Sequence, residues 1–304
     1  MIGRLFIIQF FVVLFLFSCK GSTRKSTEFV FPEADSVPIS EAQKLSHEAL
    51  DDIARNISSP MEIADILKKM SVPYSANYLA SSIDANRQNT NFNKALKLGI
   101  LGADLGYLNM YEKTSSALDL LSSIKKLADG IYVGQYFDFE SIRRLSRSRS
   151  NLDSLMYISQ NSFNQIDKYL RDNDRGQYSA LMIIGVWIEG QYLATKVLSQ
   201  HPDTLLRNRV GEQKVIIGDL LMLLAPYKDT NEEYVSLWKD MQTLREKYLK
   251  VNIRYTQGDP VMKEKDGVVT VEQTEQSIVE ISDEQLGAIV VFSGGMRDKL
   301  ISNN

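Results

Sequence analysis

Residues 98–111, with the sequence LGILGADLGYLNMY, contain the pattern that predicts the centre of the fold. This stretch is almost wholly apolar, yet Gly99, Gly102 and Gly106 fall on one side of a helix, the last two as a G-x-x-x-G pair. Each glycine costs a helix interior up to about 1 kcal/mol, and close approach of another backbone is the usual compensation. We therefore predict a central helix packed against a second one. The alternative is that the small residues leave space for a ligand.

A candidate for that second helix lies about 85 residues further along the chain. Residues 104–108 (DLGYL) are echoed by residues 189–193 (EGQYL), and Ala95 falls on Ala180 at the same offset. Each copy is followed by an apolar helix and then a longer, charged amphipathic one. The pattern predicts a two-fold internal repeat of three-helix units, with chance similarity of two short matches as the alternative.

The sequence on either side of these stretches is also helical in pattern. Apolar residues recur at spacings of three and four, and residues 40–43 and 59–62 form capping boxes. The fold class predicted is all-α, either a multi-helix bundle or a short helical-hairpin solenoid. The helices are predicted at roughly 40–57, 60–70, 74–87, 91–112, 115–130, 139–171 with a break near Ser146, 176–200, 208–225 and 231–252, the second and third either separate or one helix kinked at Pro73.

The character of the chain changes after residue 257. Residues 259–304 carry nine acidic and four basic side chains, so this tail is acidic. Residues 268–271 (VVTV) follow Asp266-Gly267 and predict one arm of a small hairpin. Residues 282–285 form a capping box that predicts a last helix to about Ile301. We expect a small strand-and-helix tail that either docks on the bundle or stays free of it.

Composition excludes several chemistries. The chain has 304 residues and a formal net charge of -3, which argues against a nucleic-acid partner. One cysteine and two histidines leave no zinc site built on several thiolates and no H-E-x-x-H motif. Phosphate-binding and dinucleotide glycine motifs and the G-x-S-x-G elbow are also missing from the sequence. We expect no metal and no cofactor, and the sequence nominates no catalytic residue.

The single cysteine has a positive interpretation. Arg4 precedes an apolar run over residues 5–17 that is too short to span a bilayer and fits the h-region of a signal peptide. The run ends Leu16-Phe17-Ser18-Cys19, which resembles the lipobox of bacterial lipoproteins. The resemblance implies cleavage between Ser18 and Cys19 and acylation of the Cys19 thiol, and Phe17 is bulkier than the usual residue at its position. Alternatives are an uncleaved anchor helix or an ordinary signal peptide.

These observations divide the chain into four parts. Residues 1–18 are the expected signal peptide, 19–38 a lipidated tether, 39–257 the helical domain and 258–304 the acidic tail. Lys20 and Gly21 follow the cysteine without an Asp, which by resemblance to the sorting rule of enteric bacteria favours the outer over the inner membrane. The expected partner is therefore membrane lipid through acylated Cys19, together with an envelope protein or polymer.

Two acids stand inside otherwise apolar helices. A buried carboxylate must find a partner or take a raised pKa, so we expect Asp104 and Glu189 to share a polar environment. Tyrosines three residues on in each helix lie close enough to join them. The hypothesis is a ligand-binding site between the two helices, and its alternative is an internally bonded structural network. The site would comprise Asp104, Tyr107, Trp187, Glu189 and Tyr192.

The function predicted is that of a membrane-anchored envelope lipoprotein with a helical binding or scaffolding domain. Its soluble part resembles the all-helical lipoproteins of bacterial envelopes that have no assigned activity. The alternative is a hydrolase or transglycosidase that acts on an envelope polymer through Asp104 and Glu189, because paired carboxylates suit glycosidic chemistry. An enzyme requires both acids in an open cleft, whereas a scaffold predicts them buried or bonded.

Overall fold

A computed structural model of the chain describes residues 66–67, 69–146, 152–257, 261–265, 268–272 and 275–302. The lipobox-like segment, the tether and the helix predicted at 40–57 lie outside these residues. Of the helix predicted at 60–70, only the end is described, and residues 66, 67 and 69 are helical there.

The described part of the chain is an all-α, multi-helix fold with a small C-terminal strand-and-helix tail, as predicted. It contains eight α-helices: α1 (Asn91–Met110), α2 (Thr114–Gly130), α3 (Phe139–Ser146), α4 (Leu152–Asp172), α5 (Gly176–Gln200), α6 (Thr204–Leu224), α7 (Glu232–Tyr248) and α8 (Asp283–Ser302). The break predicted near Ser146 separates α3 from α4. In the described residues, α5 alone is long and apolar enough to cross a bilayer, and 78% of its most apolar window is buried in the protein, as in a core helix.

Side-chain caps mark the starts of several helices. The Thr90 side chain accepts a hydrogen bond from Asn93 N and opens α1, and Asn231 accepts from two backbone N–H groups at the start of α7. The start predicted at residue 208 was wrong by four residues. Asp203 accepts a hydrogen bond from Leu206 N, so α6 begins at Thr204, directly after the His201-Pro202 turn.

The helix predicted at 74–87 is absent. Only a 3-10 turn, Ala76–Tyr78, is present in this stretch. The reason is tertiary, because side chains of α1 take the backbone groups that a helix would have used. Ser75 N donates to the Tyr107 hydroxyl (3.0 Å), and Ala80 N donates to the Asp104 carboxyl (2.8 Å). The segment is an irregular strap across the end of α1.

The two helices chosen from sequence are the central pair and are packed against each other. A Cβ added at Gly99 would overlap the carbonyl oxygen of Met182 and lie 2.9 Å from Val186 N. A Cβ added at Gly185 would overlap the carbonyl oxygen of Leu96 and lie 3.1 Å from Ile100 N. Each glycine thus admits the backbone of the other helix, as predicted for this pair.

The two helices are parallel, because Asn91 near the start of α1 bonds the hydroxyl of Tyr178 near the start of α5 (3.3 Å), and Asp104 and Glu189 are neighbours further along both helices. The G-x-x-x-G pair is not the contact point. A Cβ at Gly102 would overlap the Phe163 ring of α4, and one at Gly106 would meet no atom of the described residues within 4 Å. The repeat of whole three-helix units stays a prediction.

The tail forms two nested antiparallel ladders followed by α8. Strand β1 (Asn252–Gln257) pairs with β4 (Glu275–Glu280), and β2 (Val261–Lys265) pairs with β3 (Val268–Glu272). The predicted hairpin and last helix are therefore present. Helix α8 packs on α5 and α7, so this part of the tail is docked on the bundle.

Candidate functional site

Asp104 of α1 and Glu189 of α5 meet in the interior of the protein. Each carboxyl perturbs the pKa of the other, and the residues are 1% and 0% exposed. The structure thus brings together the two acids that sequence reasoning placed in one environment. That environment is closed, however, whereas an acid–base site needs a path to solvent.

A residue from the tail completes the arrangement. Arg297 of α8 is 4% exposed and donates to both carboxylate oxygens of Glu189 from one edge of its guanidinium, through Nε (2.9 Å) and Nη2 (2.7 Å). The same Nη2 also donates to the carbonyl of Tyr78 at 3.3 Å, and the guanidinium carbon lies 4.1 Å from the centre of the Tyr192 ring. This bidentate geometry is the strongest form of carboxylate recognition, and it favours the ionised form of Glu189.

Asp104 is held differently. Its Oδ2 accepts from Ala80 N, whereas its Oδ1 accepts no hydrogen bond from any N–H or O–H group in the described part of the chain. A protonated Oδ1 that donates to Glu189 satisfies both acids at once. Burial raises the pKa of Asp104 well above its usual range, and the charge of Glu189 raises it further. Burial also raises the pKa of Glu189. The hydrogen bonds and positive charge of Arg297 act in the opposite direction and lower it.

The three groups form a neutral unit, which we call the acid–arginine lock: Asp104, Glu189 and Arg297. One proton shared by the two carboxyls would satisfy Asp104 Oδ1 and leave a single negative charge, which the guanidinium matches. The carboxyls titrate as a pair rather than as independent acids. Removing either Glu189 or Arg297 would leave the other as an uncompensated buried charge.

The tyrosines and the tryptophan of the predicted site have separate surroundings. Tyr192 stacks on Arg297 and belongs to the lock. Tyr107 lies beside it in a tyrosine cluster with Tyr74, Tyr78 and Tyr111, at ring distances of 5.7, 6.3 and 4.8 Å, and burial raises its pKa to about 12. Trp187 points elsewhere, because Nε1 donates to Gln213 of α6 at 2.8 Å. Two residues on a helix are separated by about 200°, so Trp187 and Glu189 face opposite sides.

Sequence reasoning missed two buried cations. Arg297 lies 108 residues after Glu189, in a tail whose net charge is acidic. The sequence contained one indication of such a residue, which is that a buried acid needs a partner. Lys97 of α1 is fully buried, and its Nζ donates to Gln88 Oε1 at 2.6 Å. Burial lowers the pKa of Lys97 to about 8. The apolar pattern around Lys97 gave no indication of a buried cation, because the methylene chain of a lysine packs like a hydrocarbon side chain.

Two further findings bear on function. Within the described residues, no group of three or more His, Cys, Asp or Glu side chains is arranged to hold a metal ion. In comparisons with known proteins, the chain matches no protein-family model, no curated protein and no solved structure.

Proposed function

We propose that the protein is an acylated lipoprotein of the bacterial envelope whose helical domain is a non-catalytic binding or scaffolding module. The Leu16-Phe17-Ser18-Cys19 segment supports the attachment, with lipid on Cys19 and the outer membrane as the destination. The proposal of a non-catalytic domain rests on one observation: Asp104 and Glu189 are buried, and Arg297 occupies both carboxylate oxygens of Glu189.

The lock leaves neither carboxyl available to a substrate. A general acid or base must come within about 2.6–3.2 Å of the proton that it transfers. Here Glu189 is engaged by two guanidinium nitrogens, and Asp104 by a backbone N–H and by Glu189 itself. A polymer chain would have to displace α8 to reach them. A rigid helical body that presents its outer surface fits the arrangement better than a hydrolase or transglycosidase does.

Metabolic labelling tests the attachment. The full chain is expressed in a bacterial host with an alkyne-bearing palmitate, beside Cys19→Ser and the tether control Ser22→Ala. We expect the wild type and Ser22→Ala to be labelled, to sediment with outer-membrane density, and to begin at Cys19 by mass. Cys19→Ser should be unlabelled and retain residues 1–18. Equal labelling of Cys19→Ser, or an unlabelled wild type, would contradict lipidation.

A polymer-release assay tests the absence of catalysis. The full chain in detergent is incubated with purified peptidoglycan, beside the Asp104→Asn variant, and soluble fragments are counted by mass spectrometry. We expect release at the level of a no-protein blank for both proteins. Release by the wild type that is lost in a folded Asp104→Asn variant would establish the hydrolase instead.

A further inference from the structure

A tyrosine is exposed at the turn that closes α2. Tyr132 is 77% exposed, the largest exposed fraction of any large apolar side chain in the described part of the chain. Its ring and hydroxyl form no hydrogen bond, ring contact or cation contact with the described residues. Its φ of 58° lies in the left-handed region, which glycine adopts at helix ends without strain and tyrosine does not. Neither its backbone nor its side chain explains a tyrosine here through folding, so the position indicates a role in recognition.

The turn that carries Tyr132 is held in place by side-chain hydrogen bonds. The carbonyl oxygens of residues 130 and 131 accept from Lys94 Nζ (3.5 Å) and from Arg175 Nη2 (2.7 Å). The carbonyl oxygen of Tyr132 itself accepts from Gln135 Nε2 at 3.4 Å. Three consecutive carbonyls are thus bonded to side chains. The ring is presented on a fixed backbone, which reduces the conformational entropy that binding would cost.

The turn between α4 and α5 adjoins this one. Arg175 belongs to it, and the bond from its guanidinium to the carbonyl of residue 131 places the two turns within one arginine side chain of each other. Asn173 and Asp174 in the same turn are exposed, as is Gln135 in the first. Two amides, a carboxylate and a guanidinium therefore lie on two adjoining turns with the exposed ring. We call this surface the tyrosine platform: Tyr132, Gln135, Asn173, Asp174 and Arg175.

The composition of the tyrosine platform favours sugars over other partners. A sugar ring has a C–H face that packs on an aromatic ring, and hydroxyl groups that donate to amide and carboxylate oxygens. A stable protein interface needs about 800 Å² from each partner, which one exposed ring does not supply. An anionic membrane attracts clusters of Lys and Arg, whereas the platform has one guanidinium next to one carboxylate.

We propose that the tyrosine platform binds glycan strands of N-acetylated amino sugars, the repeating units of peptidoglycan. The Tyr132 ring packs on the C–H face of one sugar. Gln135 and Asn173 each use an amide nitrogen within the protein, so their amide oxygens are left to accept from acetamido N–H and hydroxyl groups. Asp174 adds a carboxylate acceptor. The inference rests on the proposed binding module and names the chemical class of its partner.

Cosedimentation with purified peptidoglycan tests the proposal. The full chain in detergent is mixed with the insoluble polymer, and the bound fraction is measured from pellet and supernatant. We expect an apparent dissociation constant of about 1 mM in sugar units, as suits a single aromatic anchor on an open surface. Soluble chitotetraose, a tetramer of N-acetylglucosamine, should release the protein. Maltotetraose has no acetamido group and should compete at least about tenfold more weakly.

Variants assign the binding to the tyrosine platform. Tyr132→Gly removes the ring and suits the left-handed backbone, so it should melt at or above the wild-type temperature and yet bind at least about tenfold more weakly. Tyr132→Trp keeps an aromatic face and should bind within about threefold of the wild type. Tyr157 of α4 is also exposed (69%), and Tyr157→Ala is the matched control, with binding unchanged within about twofold.

Three results would overturn the proposal. They are a wild type that does not pellet with peptidoglycan, a Tyr132→Gly variant that binds as the wild type does, and competition by chitotetraose no stronger than that by maltotetraose. The last would mean that the peptide part of the polymer is recognised. None of them alters the labelling of Cys19 or the polymer-release result, so failure here is distinguishable from failure of the proposed function.

Discussion

Two neighbouring regions of the α1–α5 interface are held together in opposite ways. Near the middle of the two helices, Gly99 and Gly185 let each backbone touch the other, and no side chain lies between them. One to two turns later, Asp104 and Glu189 meet through ionisable side chains that need Arg297 from α8. The glycine region depends on the two helices alone, and the acidic region makes the pairing depend on the C-terminal tail.

This difference shows how a segment that is acidic and remote in sequence becomes part of the core. The glycine contact permits the short distance between α1 and α5, and that distance places the two acids together. Two carboxyls in the interior are stable only with a shared proton and a counter-cation. Docking of α8 supplies the cation, so the last helix contributes to the stability of the central pair.

The largest effect is expected from removing the cation. Arg297→Met leaves Glu189 charged and buried, so the free energy of unfolding should fall by about 3–5 kcal/mol. The same substitution at Lys299, which pairs with Asp240 at the surface of the same helix, should cost at most about 1 kcal/mol. Urea unfolding followed by circular dichroism measures both. The double variant Glu189→Met/Arg297→Met should recover most of the loss, and equal losses for Arg297→Met and Lys299→Met would show that the lock has no special role.

Substitutions at Gly99 and Gly185 should destabilise the protein through steric overlap between the helices, not through an unpaired charge. Alanine at Gly99 or at Gly185 drives a methyl group into a carbonyl of the facing helix, and each should cost about 2–3 kcal/mol. Gly106→Ala lies on the same helix in open space and should gain up to about 1 kcal/mol from helix propensity. Thermal melts compare the three variants. A Gly99→Ala protein as stable as Gly106→Ala would remove the close contact from the explanation.

The smallest effect concerns the aromatic ring against the lock. Tyr192→Leu removes the ring under Arg297 and should cost about 1 kcal/mol. Tyr192→Phe keeps the ring and should lie close to the wild type in the same urea titration. If both variants lose stability equally, the hydroxyl rather than the ring is the contributing group.

The central helix pair could be predicted from sequence because the signal was local. Glycines inside an apolar helix indicate close backbone contact, and a similar pattern further along the chain indicated the partner. The shared environment of Asp104 and Glu189 followed from the same echo. The role of these and the other predicted ligand residues stays a prediction.

The errors have a common physical origin in long-range contacts. Residues 74–87 match a helix locally, but Tyr107 and Asp104 bond their backbone and hold a strap instead. Arg297 could not be assigned, because nothing within its own helix distinguishes a buried arginine from an exposed one. Trp187 was grouped with Glu189 by proximity in sequence, although two residues along a helix face opposite ways.

The central claim is that Asp104 is neutral and donates its proton to Glu189, and Asp104→Asn tests it most directly. An asparagine can accept from Ala80 N and donate to Glu189, as the protonated acid does. Because the folded-state pKa of Asp104 is raised, its contribution to stability is full below about pH 4 and is lost as the pH rises through that raised pKa.

The measurement is the free energy of unfolding of the wild type and of Asp104→Asn in urea from about pH 5 to pH 9. The difference between the two proteins isolates the titration of residue 104 from that of the other groups. We predict that the variant is at least as stable as the wild type near neutral pH and that its advantage grows as the pH rises. A variant that is less stable by a constant amount at every pH would mean that Asp104 is ionised in the folded protein and would contradict the shared proton.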